Sequence, residues 1–146
     1  MVASVHSAFN LDIEVQTERI VRAIRNPYTT IVGHPTGRLL LARPGYELHM
    51  ERILQAAAET GTVMELNANP RRLDLDWRWH RRAVELGCSL AINPDSHQTS
   101  ALGEVFIGVR MARKGMLRKQ DVVNTMSERE FRQFASELRE AKIGGY

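Results

Sequence analysis

Short apolar runs alternate along the chain with longer amphipathic stretches, the pattern of successive strand and helix units around a parallel sheet. Val2-Ala-Ser-Val5 reads as a first short strand that ends at His6. Val15, Ile20, Val21 and Ile24 recur at helical spacing across 14–25, and Asn26-Pro27 stops that helix. Thr30-Ile-Val32 predicts a second strand ending at Gly33-His34. After a loop from Pro35 to Gly45, the spacing predicts a helix over 47–60, with Leu48, Ile53, Leu54 and Ala57 on one face and Gly61 at its C′ position.

Thr62-Val-Met64, running into Glu65-Leu-Asn67, predicts the third strand, and 67–75 reads as loop. Asp76 is the expected N-cap of a helix in which Trp79, Ala83 and Leu86 share a face, with Gly87 as its stop. Cys88 to Asn93 predicts the fourth strand, ending at Pro94-Asp95. A further helix over 105–114 is broken by Gly115, and 121–125 is an apolar passage whose type the pattern leaves open. Ser127 with Glu130 forms a capping box for the last helix, whose inward side is Phe131, Phe134, Ala135 and Leu138. Gly144-Gly145-Tyr146 is expected to fray.

Length and composition narrow the class. At 146 residues, 43% hydrophobic and 25% charged, the chain suits a single domain, 1–146, and is too short for two full ones. No run approaches the ~18 apolar residues of a membrane span, and Met1 to Asn10 lacks the basic flank and apolar run of a signal peptide, so a cytoplasmic protein without membrane contact is expected. Cys88 is the only cysteine, which excludes an internal disulfide and a cysteine-rich zinc site. Any metal would be held by His, Asp or Glu. The net charge of +3 comes from 20 basic against 17 acidic residues, and the densest basic run, 110–119, reads as a solvated face.

The ionisable residues change the picture more than the charge does. His6, His34, Glu65 and Asp95 each close a predicted strand or follow it directly, at intervals of 28, 31 and 30 residues. That is the length of one strand-helix unit, and the carboxyl ends of parallel strands converge on one face, where ligands bind. His, Asp and Glu without cysteine form an oxygen and nitrogen donor set suited to zinc or manganese and to phosphate hydrolysis. In Asp95-Ser-His97 an extended backbone would send the carboxylate and the imidazole into the site and Ser96 away from it. Glu65 fits either the site or a structural hydrogen-bonding role. Arg38 and Arg72, in the loops after the second and third strands, are candidates to grip a substrate phosphate. His49 and His80 fall inside predicted helices among charged neighbours and are expected at the surface.

At these residues the chain resembles the PHP (polymerase and histidinol phosphatase) domain, most closely the version at the C-terminus of bacterial family X DNA polymerases. The resemblance lies in Ala3-Ser-Val-His-Ser7, Ile31-Val-Gly-His-Pro-Thr-Gly-Arg-Leu-Leu40, Glu65-Leu-Asn-Ala68 with Arg72-Leu-Asp-Leu75, Ile92-Asn-Pro-Asp-Ser-His97, Gly108-Val109 with Ala112-Arg113, and Val123-Asn-Thr125. These segments run in order along nearly the whole chain. The resemblance implies a distorted TIM-like barrel with a three-metal centre and 3′-5′ exonuclease or phosphoesterase activity. It implies that His6 and His34 are ligands of one metal, Asp95 of another and His97 of a third, with Asp95 and His97 the catalytic candidates. Glu65 does not match the family's bridging glutamate, and Pro94 and Ser96 stand where the pattern more often has Thr and Ala.

The family's opening His-x-His pair, its next acidic or histidine ligand, a further histidine and the bridging glutamate have no counterpart here. The expectation is therefore the C-terminal portion of a PHP domain, an α/β chain of four to five strand-helix units forming part of a barrel. Met1 falls where the family often has valine, as a gene fragment, a split gene or a miscalled start would produce. Such a chain would be weak or inactive alone. It would serve DNA or phosphate ester substrates through a parent enzyme that supplies the N-terminal PHP half or polymerase domains, and its open strand edges and apolar faces would favour self-association. The alternatives are a histidinol-phosphatase-like phosphomonoesterase and a non-catalytic binding or structural relic.

Overall fold

Side chains alternate across a strand, so strands that are apolar on both faces need cover on both. In the computed structural model, which describes residues 1–145, the strands are β1 (Val2–Ala3), β2 (Ile31–Val32), β3 (Val63–Asn67) and β4 (Leu90–Asn93), and β2, β3 and β4 meet that need while Val2 on β1 is exposed. All pair in parallel, in the order β1-β2-β3-β4, with Val32 opposite Met64 and Met64 opposite Leu90. The protein is therefore α/β, and the alternation of strands and helices is as the periodicity indicates. Among the described residues no helix is long and apolar enough to cross a membrane.

One face of the sheet carries Val32, Met64, Leu66, Leu90 and Ile92. Against it pack α1 (Ile13–Arg25), α2 (Met50–Thr60), α3 (Trp77–Leu86) and α4 (Val105–Lys114), through Ile20, Ile24, Ile53, Leu54, Ala83 and Ala112. The other face carries Ile31, Val63 and Ala91 towards the strand starts, and α5 (Glu128–Gly144) covers these with Phe131 and Phe134. Lys142 anchors the far end of α5. Its buried ammonium donates to the carbonyl oxygens of Ile24 at 2.7 Å and Thr29 at 2.8 Å and to Thr62 Oγ1 at 2.7 Å, and burial pushes its pKa down to about 8.

Boundaries differ from the sequence reading where tertiary contacts compete. The first strand stops at Ala3. The second helix starts at Met50 because the His49 N–H donates to Thr17 Oγ1 on α1 at 3.0 Å, leaving 47–49 non-helical. The open passage near 121–125 resolves into two 3-10 turns, Lys119–Asp121 and Val123–Thr125. The capping box of α5 forms as expected, with Ser127 N–H donating to Glu130 at 2.7 Å. Gly144 closes α5, and the Tyr146 of the expected frayed tail lies outside the described residues.

Two expectations are corrected. His80 is fully buried rather than exposed, because its helical neighbours Trp77 and Ala83 turn it inward among the arginines. Its Nε2 donates to the Leu75 carbonyl at 3.1 Å, and Gly115 closes over the ring, where a Cβ would stand 2.2 Å from Nδ1. His49 is exposed as expected, but it stands just before α2 rather than inside it, and its Nε2 pairs with Glu14 at 2.7 Å. The outer edge of β4, expected open, is covered. Val122 bridges Leu90 in parallel, and the Asn124 amide takes both backbone groups of Ile92, accepting from its N–H at 2.7 Å and donating to its carbonyl at 2.9 Å. That amide substitutes for a strand, and β1 is left with the free edge among the described residues. Asn124→Ala should lower stability by about 1–2 kcal/mol, read from urea unfolding, since it strips two hydrogen bonds from one edge residue.

Candidate functional site

The carboxyl ends of β2, β3 and β4 lie side by side in the sheet, so the loops that leave them share one end of the domain. Glu65 organises that end. Period-two alternation along β3 puts it on the same face as Asn67, and the pairing of Asn67 with Asn93 brings in a second amide from β4. Its buried carboxylate accepts from the His34 N–H at 2.6 Å, from Asn67 Nδ2 at 3.1 Å and from Asn93 Nδ2 at 2.9 Å. Burial raises its pKa above the usual carboxylate value, and the three donors pull the other way. Glu65 thus takes the structural hydrogen-bonding role that strand alternation allows.

The Glu65 bond holds His34 in a left-handed backbone conformation, φ +27°, which a residue with a Cβ rarely adopts. Gly33 makes the close approach possible, since a Cβ there would stand 2.5 Å from Ser4 Oγ. The buried His34 ring meets the exposed His6 ring edge to face, centroids 5.1 Å apart. Burial, and then the nearby charge of Arg72, lower the His34 pKa, so the ring is neutral near pH 7, the form that ligates metals. Its Nδ1 is buried and has no hydrogen-bond partner.

Asp95 also sits at positive φ, +54°, and its carboxylate pairs with Arg72 Nε at 3.2 Å. This backbone breaks the extended geometry that would send Asp95 and His97 to the same side. Instead, His97 is exposed and turns its Nδ1 back to the Asp95 carbonyl oxygen at 2.7 Å, while the Ser96 hydroxyl, expected to point away, is buried and unpartnered. Arg38 and Arg72 have separate jobs. Arg38 donates through Nε to the Arg72 carbonyl at 2.8 Å, through NH1 to Asp76 at 2.6 Å and through NH2 to the Leu73 carbonyl, which commits all three nitrogens to the loop that carries Arg72. Arg72 keeps one nitrogen, NH1, without a partner.

The strand ends therefore bring together His6, His34, Glu65, Arg72 and Asp95, with His97 at the rim. Two imidazoles in contact and a carboxylate already paired to arginine form an incomplete metal donor set. Among the described residues no three His, Cys, Asp or Glu side chains are grouped to hold one ion. Asn67 and Asn93 were missed in the sequence, although their alternation with Glu65 and their place at strand ends were available signals. Asp74 was missed too. It is fully buried, accepts from the Thr36 N–H at 3.0 Å, and is pushed up to about 6 by burial.

No protein-family model matches the chain. It is 40% identical over 134 residues, 92% of its length, to the DNA polymerase/3'-5' exonuclease PolX of Bacillus subtilis (strain 168), and covers 24% of that protein. It is 28% identical over 154 aligned positions to a probable phosphatase of Thermoanaerobacter sp. (strain X514), with 99% of this chain and 60% of the phosphatase covered. A probable phosphatase of Shewanella sp. (strain ANA-3) is 29% identical over 98 positions, 63% of this chain and 36% of the relative. The chain thus spans about a quarter of the polymerase and three fifths of the first phosphatase. This homology supports the PHP-like relationship suggested by the motifs.

Two substitutions test the site's framework. Glu65→Gln turns one acceptor into a donor facing three donors, and should cost about 1–3 kcal/mol in chemical unfolding and speed hydrogen exchange at the His34 amide. For Asp74 the pKa is higher folded, about 6, than in the unfolded chain, so the folded state binds the extra proton between about pH 4 and 6. Its contribution is full below that window and is lost as pH rises through 6. Asp74→Asn, which stays neutral, should flatten this pH dependence and raise stability at pH 7.5 by up to about 3 kcal/mol, measured by melting across that range.

Proposed function

We propose that this chain is the C-terminal portion of a PHP-type phosphoesterase domain, related to the exonuclease domain of a family X DNA polymerase, and that it is weak or inactive alone. The observation that carries this reading is the meeting of His6, His34, Arg72 and Asp95 at the ends of parallel strands, in a chain homologous along nearly its whole length to a polymerase/exonuclease and to probable phosphatases. The sequential order of the four strands, with α1–α4 on one face, suits an arc of a barrel that the rest of the parent would close.

Arg72 is the residue that orients a phosphate. Asp95 holds its Nε side, Arg38 holds its backbone, and the free NH1 is left to donate to an anionic oxygen. His34 supplies a neutral nitrogen donor for zinc or manganese with the His6 ring beside it as the second, and Asp95 and His97 are the further ligands once the missing donors are in place. A divalent metal would supply Lewis-acid activation of the phosphoester. With the donor set incomplete, no hydrolytic step is assigned to this chain by itself. A histidinol-phosphatase-like monoesterase would draw on the same residues, and the 28% identity to a probable phosphatase favours it as the second reading.

Calorimetry should show weak zinc or manganese binding by the wild type, reduced at least tenfold in His6→Ala/His34→Ala; equal binding by both removes the metal role from the pair. The chain alone should not hydrolyse single-stranded DNA ends or a model phosphate ester with manganese present. Adding the N-terminal half of a related PHP domain should produce a metal-dependent activity that Asp95→Asn abolishes. Turnover by the isolated chain, lost in Asp95→Asn, would show that the residues present suffice.

A further inference from the structure

Several surface arginines of this protein are spent on carboxylates: Arg52 on Glu14 and Glu18, Arg81 on Glu85, Arg82 on Glu51 and Arg132 on Glu128. The two arginines of helix α4 are not. The stretch 105–119 holds five Lys or Arg and no Asp or Glu. Arg118 pairs with Asp121 beyond it, and Lys114 lies over the Trp77 ring at 4.5 Å. Arg110 and Arg113 are exposed, and neither has an ion-pair partner among the described residues.

Phe106 stands one turn before Arg110 and is 70% exposed. At 3.6 residues per turn, positions 106, 110 and 113 lie within about 60° of one another and span about 10 Å. They form one outward row of an aromatic ring followed by two unpaired guanidinium groups. The helix cannot roll to bury the ring, because its inner side is locked. A Cβ on Gly108 would stand 2.5 Å from Ile92 Cγ2 and 2.6 Å from Ala68 Cβ, and Ala112 is buried in the same cluster. In the chain, α4 follows Asp95 and His97 through a single 3-10 segment, Thr99–Glu104.

We infer that the outer face of α4 is a docking track for single-stranded nucleic acid, with Phe106 stacking a base and Arg110 and Arg113 meeting successive phosphates. Unpaired cations in line with an exposed ring are the elements of such platforms. A membrane surface fits less well, because it needs a wide apolar stripe and α4 turns its own towards the sheet. The inference rests on the phosphoesterase reading only for the use of the track, which is to hold a strand that the parent's site would cleave.

The test is fluorescence anisotropy of a labelled oligothymidylate of about 15 nucleotides, with the whole chain in EDTA so that binding is read without metal or turnover. Phe106→Ala should weaken binding about tenfold. Arg110→Gln/Arg113→Gln should lower the salt-dependence slope by about 1.4, the share of two phosphates on a single strand. Arg22→Gln/Arg25→Gln, the same charge change on α1, should leave both quantities as in the wild type. The inference is overturned if the wild type does not bind, if the α4 variants bind as it does, if the α1 variant loses as much, or if the row binds phosphatidylserine vesicles and not the oligonucleotide. Zinc calorimetry on the same variants keeps the two readings apart. A failed track leaves metal uptake by His6 and His34 intact, and failed metal uptake leaves the anisotropy readable.

Discussion

A buried carboxylate must be surrounded by donors or it will not stay buried, and Glu65 meets this condition with one backbone N–H and two side-chain amides. Those donors come from three different strand ends, so one residue ties β2, β3 and β4 together where their loops depart. The bond to His34 N–H matters most for the chemistry. It holds a left-handed residue in place and so decides that the imidazole turns to meet His6. The site's shape follows from satisfying this acidic group.

The remaining side chains of the site are arranged by a second relay of the same kind. Asp76 caps α3 and binds Arg38, Arg38 binds the carbonyls of Arg72 and Leu73, and Arg72 binds Asp95. Each link uses a charged group to fix backbone, which positions loops as firmly as packing does. At the opposite end of the sheet Lys142 performs the equivalent task, holding α5 against the ends of α1 and the starts of β2 and β3.

These two ends account for the contrast between a well-built framework and a sparse donor set. The core on the helix side is continuous through α1, α2 and α3, and α5 covers the starts of the strands on the other face. At the site end, by contrast, buried polar atoms of His34, Arg72 and Ser96 lack partners. Buried polar groups are ordinarily satisfied, so atoms like these are where a ligand or further protein groups would act.

The chain's own pattern determined the order and type of the elements, because hydrophobic periodicity, the caps at Asp76 and Ser127 and the stops at Gly61 and Gly87 are local properties. It also determined that His6, His34, Glu65 and Asp95 would gather at one end, since parallel strands with similar intervals leave no other arrangement. Tertiary structure decided what each residue does there. Arg38 and Arg72 are equivalent in sequence, and only the fold commits one to backbone and leaves the other a free nitrogen. The charged neighbours of His80 suggested solvent, but packing against Gly115 and the Leu75 carbonyl put it in the core. The positive φ of Asp95 reversed the roles of Ser96 and His97. Such outcomes depend on partners some 30 residues away along the chain, and on which hydrogen bonds those partners have left to give, and periodicity carries neither.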